Sequence, residues 1–275
     1  MSQRTHPWPA GLVDPTSQRD PKPRRTGLTM VIDKGLGLTQ FQDVLALANE
    51  YIDFIKLGFG TSVLYPEIIL KEKLALAKEY GVTLYPGGTF FEVAFVQDRV
   101  SSYLEHIVKR GFKTVEISDG STDIPLKDRY NAIKLARSMG LKVITECGKK
   151  TTGSVLQFQD MRKTVLSDLE HGAEYVIVEG RESGENVGIY DEKGETDPYL
   201  LQNTVHDVAG YRDALIWEAP KKAQQVTLIE ELGPQVNVGN IQPQDILALE
   251  TLRRGLRSDT FFLHEFKTSI LEEKA

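Results

Sequence analysis

Eight short apolar runs recur along the chain, and their spacing constrains the fold more than any single residue does. They are Leu28–Ile32, Ile52–Leu57, Val82–Tyr85, Thr114–Ile117, Lys142–Thr145, Glu174–Val178, Leu215–Trp217 and Gln235–Val238. Most are continuously apolar rather than alternating, the pattern of strands buried on both faces of a parallel sheet. Amphipathic helical stretches separate them. Thr39 and Gln42 have capping-box spacing beside Phe41, Val44, Leu45 and Ala48, which share one helical face. Pro66 and the pair Asp197-Pro198 suit first helical turns, where proline's missing N–H costs nothing. Gly81, Gly111, Gly140, Gly172, Gly210 and Gly233 each follow a helical run, where a left-handed residue closes a helix.

Eight strand–helix units at intervals of about 20–40 residues predict an α/β fold, a single (β/α)8 TIM-type barrel of eight parallel strands. A doubly wound open sheet fits less well: it usually has fewer strands, and no Gly-x-Gly-x-x-Gly follows the first run. The expectation is one barrel domain over 27–275, preceded by an arm over 1–26 rich in Pro, Arg, Gln and Ser. The arm reads as irregular, with an oligomer contact as the alternative.

Composition removes several classes of function. With 275 residues, 40% of them hydrophobic, the chain can bury a sizeable core. Asp+Glu number 39 against 33 Lys+Arg, an acidic balance that argues against a nucleic-acid partner. One cysteine rules out an intramolecular disulfide framework and fits a reducing cytoplasm. No apolar run approaches the roughly 18 residues of a membrane span, and the N-terminus has no signal-peptide core. A cytoplasmic protein with no membrane partner is expected.

In such barrels the chemistry lies at the C-terminal ends of the strands. Carboxylates recur there: Asp33, Glu116, Glu146, Glu179 and Glu218. Each is either paired with a neighbouring base or available to a cation, and an all-oxygen set without histidine suits Mg2+. His6, His106, His171, His206 and His264 all fall away from strand ends, so a histidine triad or zinc site is not expected. Cys147 is at a strand end but has no histidine beside it to form a catalytic pair. Lys149 and Lys150 follow Gly148; as neighbours they either lower each other's pKa, preparing one for proton transfer, or are solvated loop residues. Lys56 interrupts an apolar run, so it either points into the mouth or is paired; an anion-binding role is favoured, and Lys34 at the first strand end is a further substrate-binding candidate. Gly60, Thr61 and Ser62, and likewise Arg181, Ser183 and Gly184, form loops able to hold an anion. Gly239 and Asn240 follow the last run, near which barrels often bind phosphate. The stretch Ser183–Asp197 is either a lid or a surface insertion.

Taken in order, Leu28–Leu38 (LTMVIDKGLGL), Tyr51–Ser62 (YIDFIKLGFGTS), Tyr85–Glu92, Val115–Ile124, Thr145–Lys150, Tyr175–Gly184 (YVIVEGRESG), Glu218–Val226 and Leu249–Phe261 resemble the phosphosulfolactate synthase family. The resemblance runs from about Gly27 to Phe261 and leaves 1–25 outside. It implies a carbon–sulfur lyase that adds sulfite to phosphoenolpyruvate with Mg2+, giving (2R)-3-phosphosulfolactate through an enediolate protonated by a lysine. The second lysine of the Gly-Lys-Lys turn, Lys150, matches that acid, and metal ligands are to be chosen among the five carboxylates above. Cys147 departs from the family pattern. The resemblance also implies a homo-oligomer, with a trimer as one form, and a product leading to coenzyme M or to sulfolactate. The family includes plant homologues associated with heat tolerance, so a repurposed, non-catalytic relative is one alternative. Another enolate-forming barrel lyase is the second.

Overall fold

The computed structural model describes residues 7–150, 154–155, 158–196 and 198–264. A four-residue helix, α1 (Ala10–Val13), precedes β1 (Thr29–Asp33), α2 (Leu38–Ala48), β2 (Phe54–Leu57), α3 (Glu67–Glu79) and β3 (Thr83–Pro86). Then come α4 (Gly88–Val96), α5 (Val100–Arg110), β4 (Thr114–Ile117), α6 (Leu126–Ser138), β5 (Lys142–Cys147), β6 (Ser154–Val155) and α7 (Phe158–His171). The chain closes with β7 (Tyr175–Val178), β8 (Val187–Gly188), α8 (Pro198–Asp207), β9 (Leu215–Glu218), α9 (Lys222–Leu232), β10 (Val238–Ile241) and α10 (Ile246–Arg253).

Eight strands form one sheet in the order β3-β2-β1-β10-β9-β7-β5-β4, and every pairing is parallel. β3 and β4 meet at the seam, so the sheet is a nearly closed (β/α)8 barrel. β6 and β8 form a separate two-stranded ribbon that ties the loop after β5 to the loop after β7.

Strand period 2 sorts the side chains. Met30, Tyr85, Ile144, Ile177 and Ile216 form a small cluster inside the barrel, with Phe54 and Tyr175 against it. Neighbours of opposite parity, such as Val31, Ile55, Val143, Val176 and Trp217, belong to the large outer core under the helices. One step along the inner face, two residues further up four of the strands, the apolar floor gives way to charge: Phe54 to Lys56, Ile144 to Glu146, Ile177 to Glu179 and Ile216 to Glu218.

Several local expectations need correction. The last strand is Val238–Ile241, three residues later than the apolar run predicts, because Gly239 and Asn240 continue the ladder instead of ending it. Asn237 therefore lies below the strand, where its amide accepts from Leu28 N and donates to Asp213 O and Leu215 O. α2 starts at Leu38 after Gly37, and Gln40 Oε1 accepts from Gly37 N, so Thr39 and Gln42 form no box. Gly81, Gly111, Gly140, Gly172 and Gly233 have positive φ as expected. Gly210 does not; it lies within a 3-10 turn, Ala209–Ala214.

The described part of the arm is bound to the N-terminal end of the barrel. Arg19 donates to Glu250 and Gln235, Lys22 to the carbonyls of Asn49, Ile52 and Gly81, and Arg24 to Asp53. Gln235, Asp53 and Gly81 all precede strands, so this segment caps the end opposite the strand termini that carry the charges.

Candidate active site

A cavity of about 440 Å3 opens at the C-terminal end of the strands, within the size range of small-molecule sites. Its wall brings together Lys56, Glu116, Glu146, Lys150, Glu179, Arg181, Glu218 and Asn240, residues separated by up to 184 positions in the chain. Lys56 Nζ lies 2.8 Å from Glu218 Oε1 and 3.6 Å from Glu116 Oε2. Lys150 Nζ lies 2.8 Å from Glu146 Oε1 and 3.7 Å from Glu179 Oε2. Backbone donors fix the other carboxylate oxygens: Gly88 N to Glu116 at 2.7 Å, Arg181 N to Glu179 at 2.6 Å and Gly180 N to Glu218 at 3.1 Å. Arg181 and Asn240 hold left-handed backbone, φ 57° and 56°, a strain of about 1–2 kcal/mol for an ordinary residue, and Asn240 Nδ2 donates to Arg181 O.

The electrostatics follow from burial and these pairings. Burial opposes the charge on Lys56, but Glu116, Glu218 and Glu146 outweigh it and hold the ammonium above the ordinary lysine value. Lys150 behaves likewise: burial is outweighed by Glu146, Glu179 and Glu116. The mutual lowering expected of Lys149 and Lys150 therefore does not govern Lys150. Lys149 diverges from it, donating to the carbonyls of Asp119 and Thr122 and to Asp123 at the rim. Burial, then Glu146 and Glu218, push Glu179 well above the usual carboxyl range. Glu146 goes the other way, because Lys150 and Lys56 overcome its burial. The two carboxyls bear on each other as well as on Lys150.

Counting the exposed Glu182 beside Arg181, five carboxylate side chains line the cavity against three cationic ones. Glu116 Oε2, Glu146 Oε2, Glu179 Oε2 and Asn240 Oδ1 are buried with no hydrogen-bond donor. Buried oxygens in that condition call for a proton or a cation. Among the described residues no three His, Cys, Asp or Glu side chains are grouped so as to hold an ion by themselves. An all-oxygen set of this kind could serve Mg2+ only as a partial shell, one or two carboxylates with water and substrate oxygen completing it.

Other expected site residues lie elsewhere. Asp33 does not line the cavity: its parity is opposite to that of Met30, and it faces the helices. There it binds Lys73 at 2.6 Å, Tyr65 at 3.2 Å and the backbone N–H groups of Gly35 and Leu36. Lys34 is exposed and outside the wall. Gly60, Thr61 and Ser62 belong to the 3-10 turn after β2 without lining the cavity; Gly58 and Phe59 of that turn do line it. Ser183 is exposed, Gly184 O is bound by Gln224, and Gly239 is buried within β10. Ser183–Thr196 packs down through Val187, Ile189 and Tyr190, whose hydroxyl donates to Glu218 O; Asp197 lies outside the described residues. Cys147 has the outward parity, and burial pushes its thiol up, which suits a packing residue.

Glu92, behind the cavity wall, is a charged residue that sequence alone did not place at the site, as it did not place the lining residues Phe59, Gly88, Thr89, Gly120 and Ser121. It is buried on α4, its oxygens accept from Ser118 Oγ and Ser121 N, and Lys150 Nζ is 3.7 Å away. The available signal was its being the one charged residue in the helix GTFFEVAFV.

An eight-stranded parallel barrel with a buried ion-pair cluster at the C-terminal mouth defines the class: a (β/α)8-barrel enzyme. Residues 17–259 match the (2R)-phospho-3-sulfolactate synthase family, and the chain belongs to that family. The match takes in residues 17–25, which the motif resemblance had left outside. Phosphosulfolactate synthase of Methanocaldococcus jannaschii is 45% identical over 237 residues, 86% of this chain and 94% of that protein. The same enzyme of Methanothermobacter thermautotrophicus is 42% identical over 247 residues, 89% and 95% of the two chains. Among solved structures, the carboxyl transferase domain of Rhizobium etli pyruvate carboxylase with 3-hydroxypyruvate gives a TM-score of 0.60 at 8% identity, covering 86% of this chain and 44% of that one. That likeness is one of fold alone.

Proposed function

We propose that this enzyme is a phosphosulfolactate synthase that adds sulfite to phosphoenolpyruvate, giving (2R)-phospho-3-sulfolactate. The carrying observation is the convergence of Lys56, Lys150 and Arg181 on one acid-lined cavity, in a chain 42–45% identical to enzymes of that name. Sulfite sulfur bonds to the terminal alkene carbon, the π electrons pass into the carboxylate as an enediolate, and a proton is delivered to the carbon bearing the phosphate ester. Lys150 enters as an ammonium, the form that carries that proton. Lys56 and Arg181 supply positive charge to the anionic substrates.

Glu146 and Glu179, with Asn240 Oδ1, would hold Mg2+; Glu218 already answers Lys56 and Gly180 N, and Glu116 answers Gly88 N, with Lys56 3.6 Å from its second oxygen. When bound, the ion neutralises negative charge developing on the substrate carboxylate. A wall with more carboxylates than cations is otherwise unsuited to two anions. A cytoplasmic location and a homo-oligomeric state belong to the same reading; the buried free thiol of Cys147 supports the first, and sedimentation tests the second.

The test is incubation of the purified protein with sulfite, phosphoenolpyruvate and Mg2+, followed by 31P NMR. A new phosphate-ester resonance that requires all three components is expected. Unchanged phosphoenolpyruvate would refute the reading.

A further inference from the structure

Lys150 is held by contacts that reach it from the loop after β4. Its backbone N–H donates to Gly120 O at 2.9 Å. Its stem lies on Gly120 so closely that a Cβ there would be 3.0 Å from both Cγ and Cδ of Lys150. The loop after β4 is thus the shelf on which the lysine rests. That shelf is fastened from the other side by Glu92: one oxygen accepts from Ser118 Oγ at 2.6 Å and the other from Ser121 N at 2.7 Å, on either side of Gly120.

The same carboxylate faces the ammonium at 3.7 Å, alongside Glu146 and Glu179. These acids reach Lys150 from three separate parts of the fold, α4, β5 and the loop after β7. A carboxylate buried in an otherwise apolar helix costs several kcal/mol unless its oxygens are satisfied, so its placement calls for a local reason. Packing alone gives none, since every other residue of α4 except Thr89 is apolar or glycine.

We propose that Glu92 is the positioning residue for Lys150: it pins the 118–121 shelf and holds the ammonium over the cavity. The inference rests on the synthase reading insofar as Lys150 donates the proton. Glu92 acts through the shelf and through Lys150, not on substrate.

The test compares Glu92→Ala with Glu92→Gln. Glutamine can accept from Ser121 N through its carbonyl and donate to Ser118 Oγ, so the shelf persists. Displacement of Lys150 by about 1 Å should lower kcat of Glu92→Ala about 100-fold, with KM for both substrates within about threefold of wild type. Glu92→Gln should recover kcat to within about tenfold of wild type. A role confined to stability would lower Tm and leave kcat of the folded enzyme unchanged, which would overturn the proposal. A crystal structure of Glu92→Ala decides placement without reference to the reaction. Lys150 found still against Glu146, with the 118–121 loop unmoved, overturns the positioning role even in an active enzyme. If the wild type makes no phosphosulfolactate, the synthase reading falls, while a shifted Lys150 in that crystal still upholds the placement by Glu92.

Discussion

Lys56 and Glu218 are 162 residues apart in the chain and 2.8 Å apart in the barrel, both almost wholly buried. Neither is tolerable there alone. Replacing Lys56 with methionine leaves Glu116 and Glu218 buried without their cation, at a cost of about 3–5 kcal/mol. The urea midpoint of Lys56→Met should fall accordingly, and the double variant Lys56→Met/Glu218→Gln should regain much of the loss without regaining activity. Unaltered stability in Lys56→Met would show that the pair is not a buried unit.

Lys150→Ala removes the proposed acid. Turnover should fall at least about 1,000-fold, in the range that general acid catalysis supplies, while phosphoenolpyruvate binding remains measurable by calorimetry. Full activity would exclude Lys150 as the donor.

Chelation should abolish product formation and Mg2+ should restore it. Glu146→Gln and Glu179→Gln should raise the Mg2+ concentration for half-activity about tenfold or more. Full activity in excess EDTA would dismiss the metal.

Asp33→Ala makes the opposite prediction. The Lys73 ammonium, fully buried and set over the rings of Phe41 and Tyr65, would lose its carboxylate. Stability should fall by about 3 kcal/mol, with the Mg2+ requirement of the folded fraction unchanged. A shifted Mg2+ requirement would return Asp33 to the metal site.

Acid should act at the other end of the barrel. Glu250 is held below the usual glutamate range because Arg19, with Arg253 and Arg254, outweighs its burial. For a carboxyl whose folded value is depressed, the stabilisation is present above the unfolded value of about 4.3 and is lost as pH falls through the folded one. Between pH 6 and 3 the wild type should therefore lose more stability than Glu250→Gln, as read from urea midpoints. Parallel losses would mean that the Arg19–Glu250 contact contributes nothing.

Much of the fold was legible because strand and helix periodicities are local. Seven of the eight apolar runs coincide with barrel strands to within about two residues, the usual uncertainty of element ends. The eighth shifted because Gly239 and Asn240 are poor strand formers held in place by neighbours on both sides. The site was legible as a list of charged strand ends but not as an arrangement.

The linear order of residues determined the barrel, the family and the alternation that stacks Glu146 on Ile144, Glu179 on Ile177 and Glu218 on Ile216. Tertiary structure decided which charges meet. A strand's inner and outer faces differ by one residue of register, so Asp33 turned to Lys73 while Lys56 turned to Glu218. It also decided that Lys149 and Lys150, adjacent in sequence, answer to different carboxylates. Glu92 could join the site only through folding, because electrostatic and hydrogen-bond energies depend on distance in space, and α4 crosses to the β4 loop only once the barrel has closed.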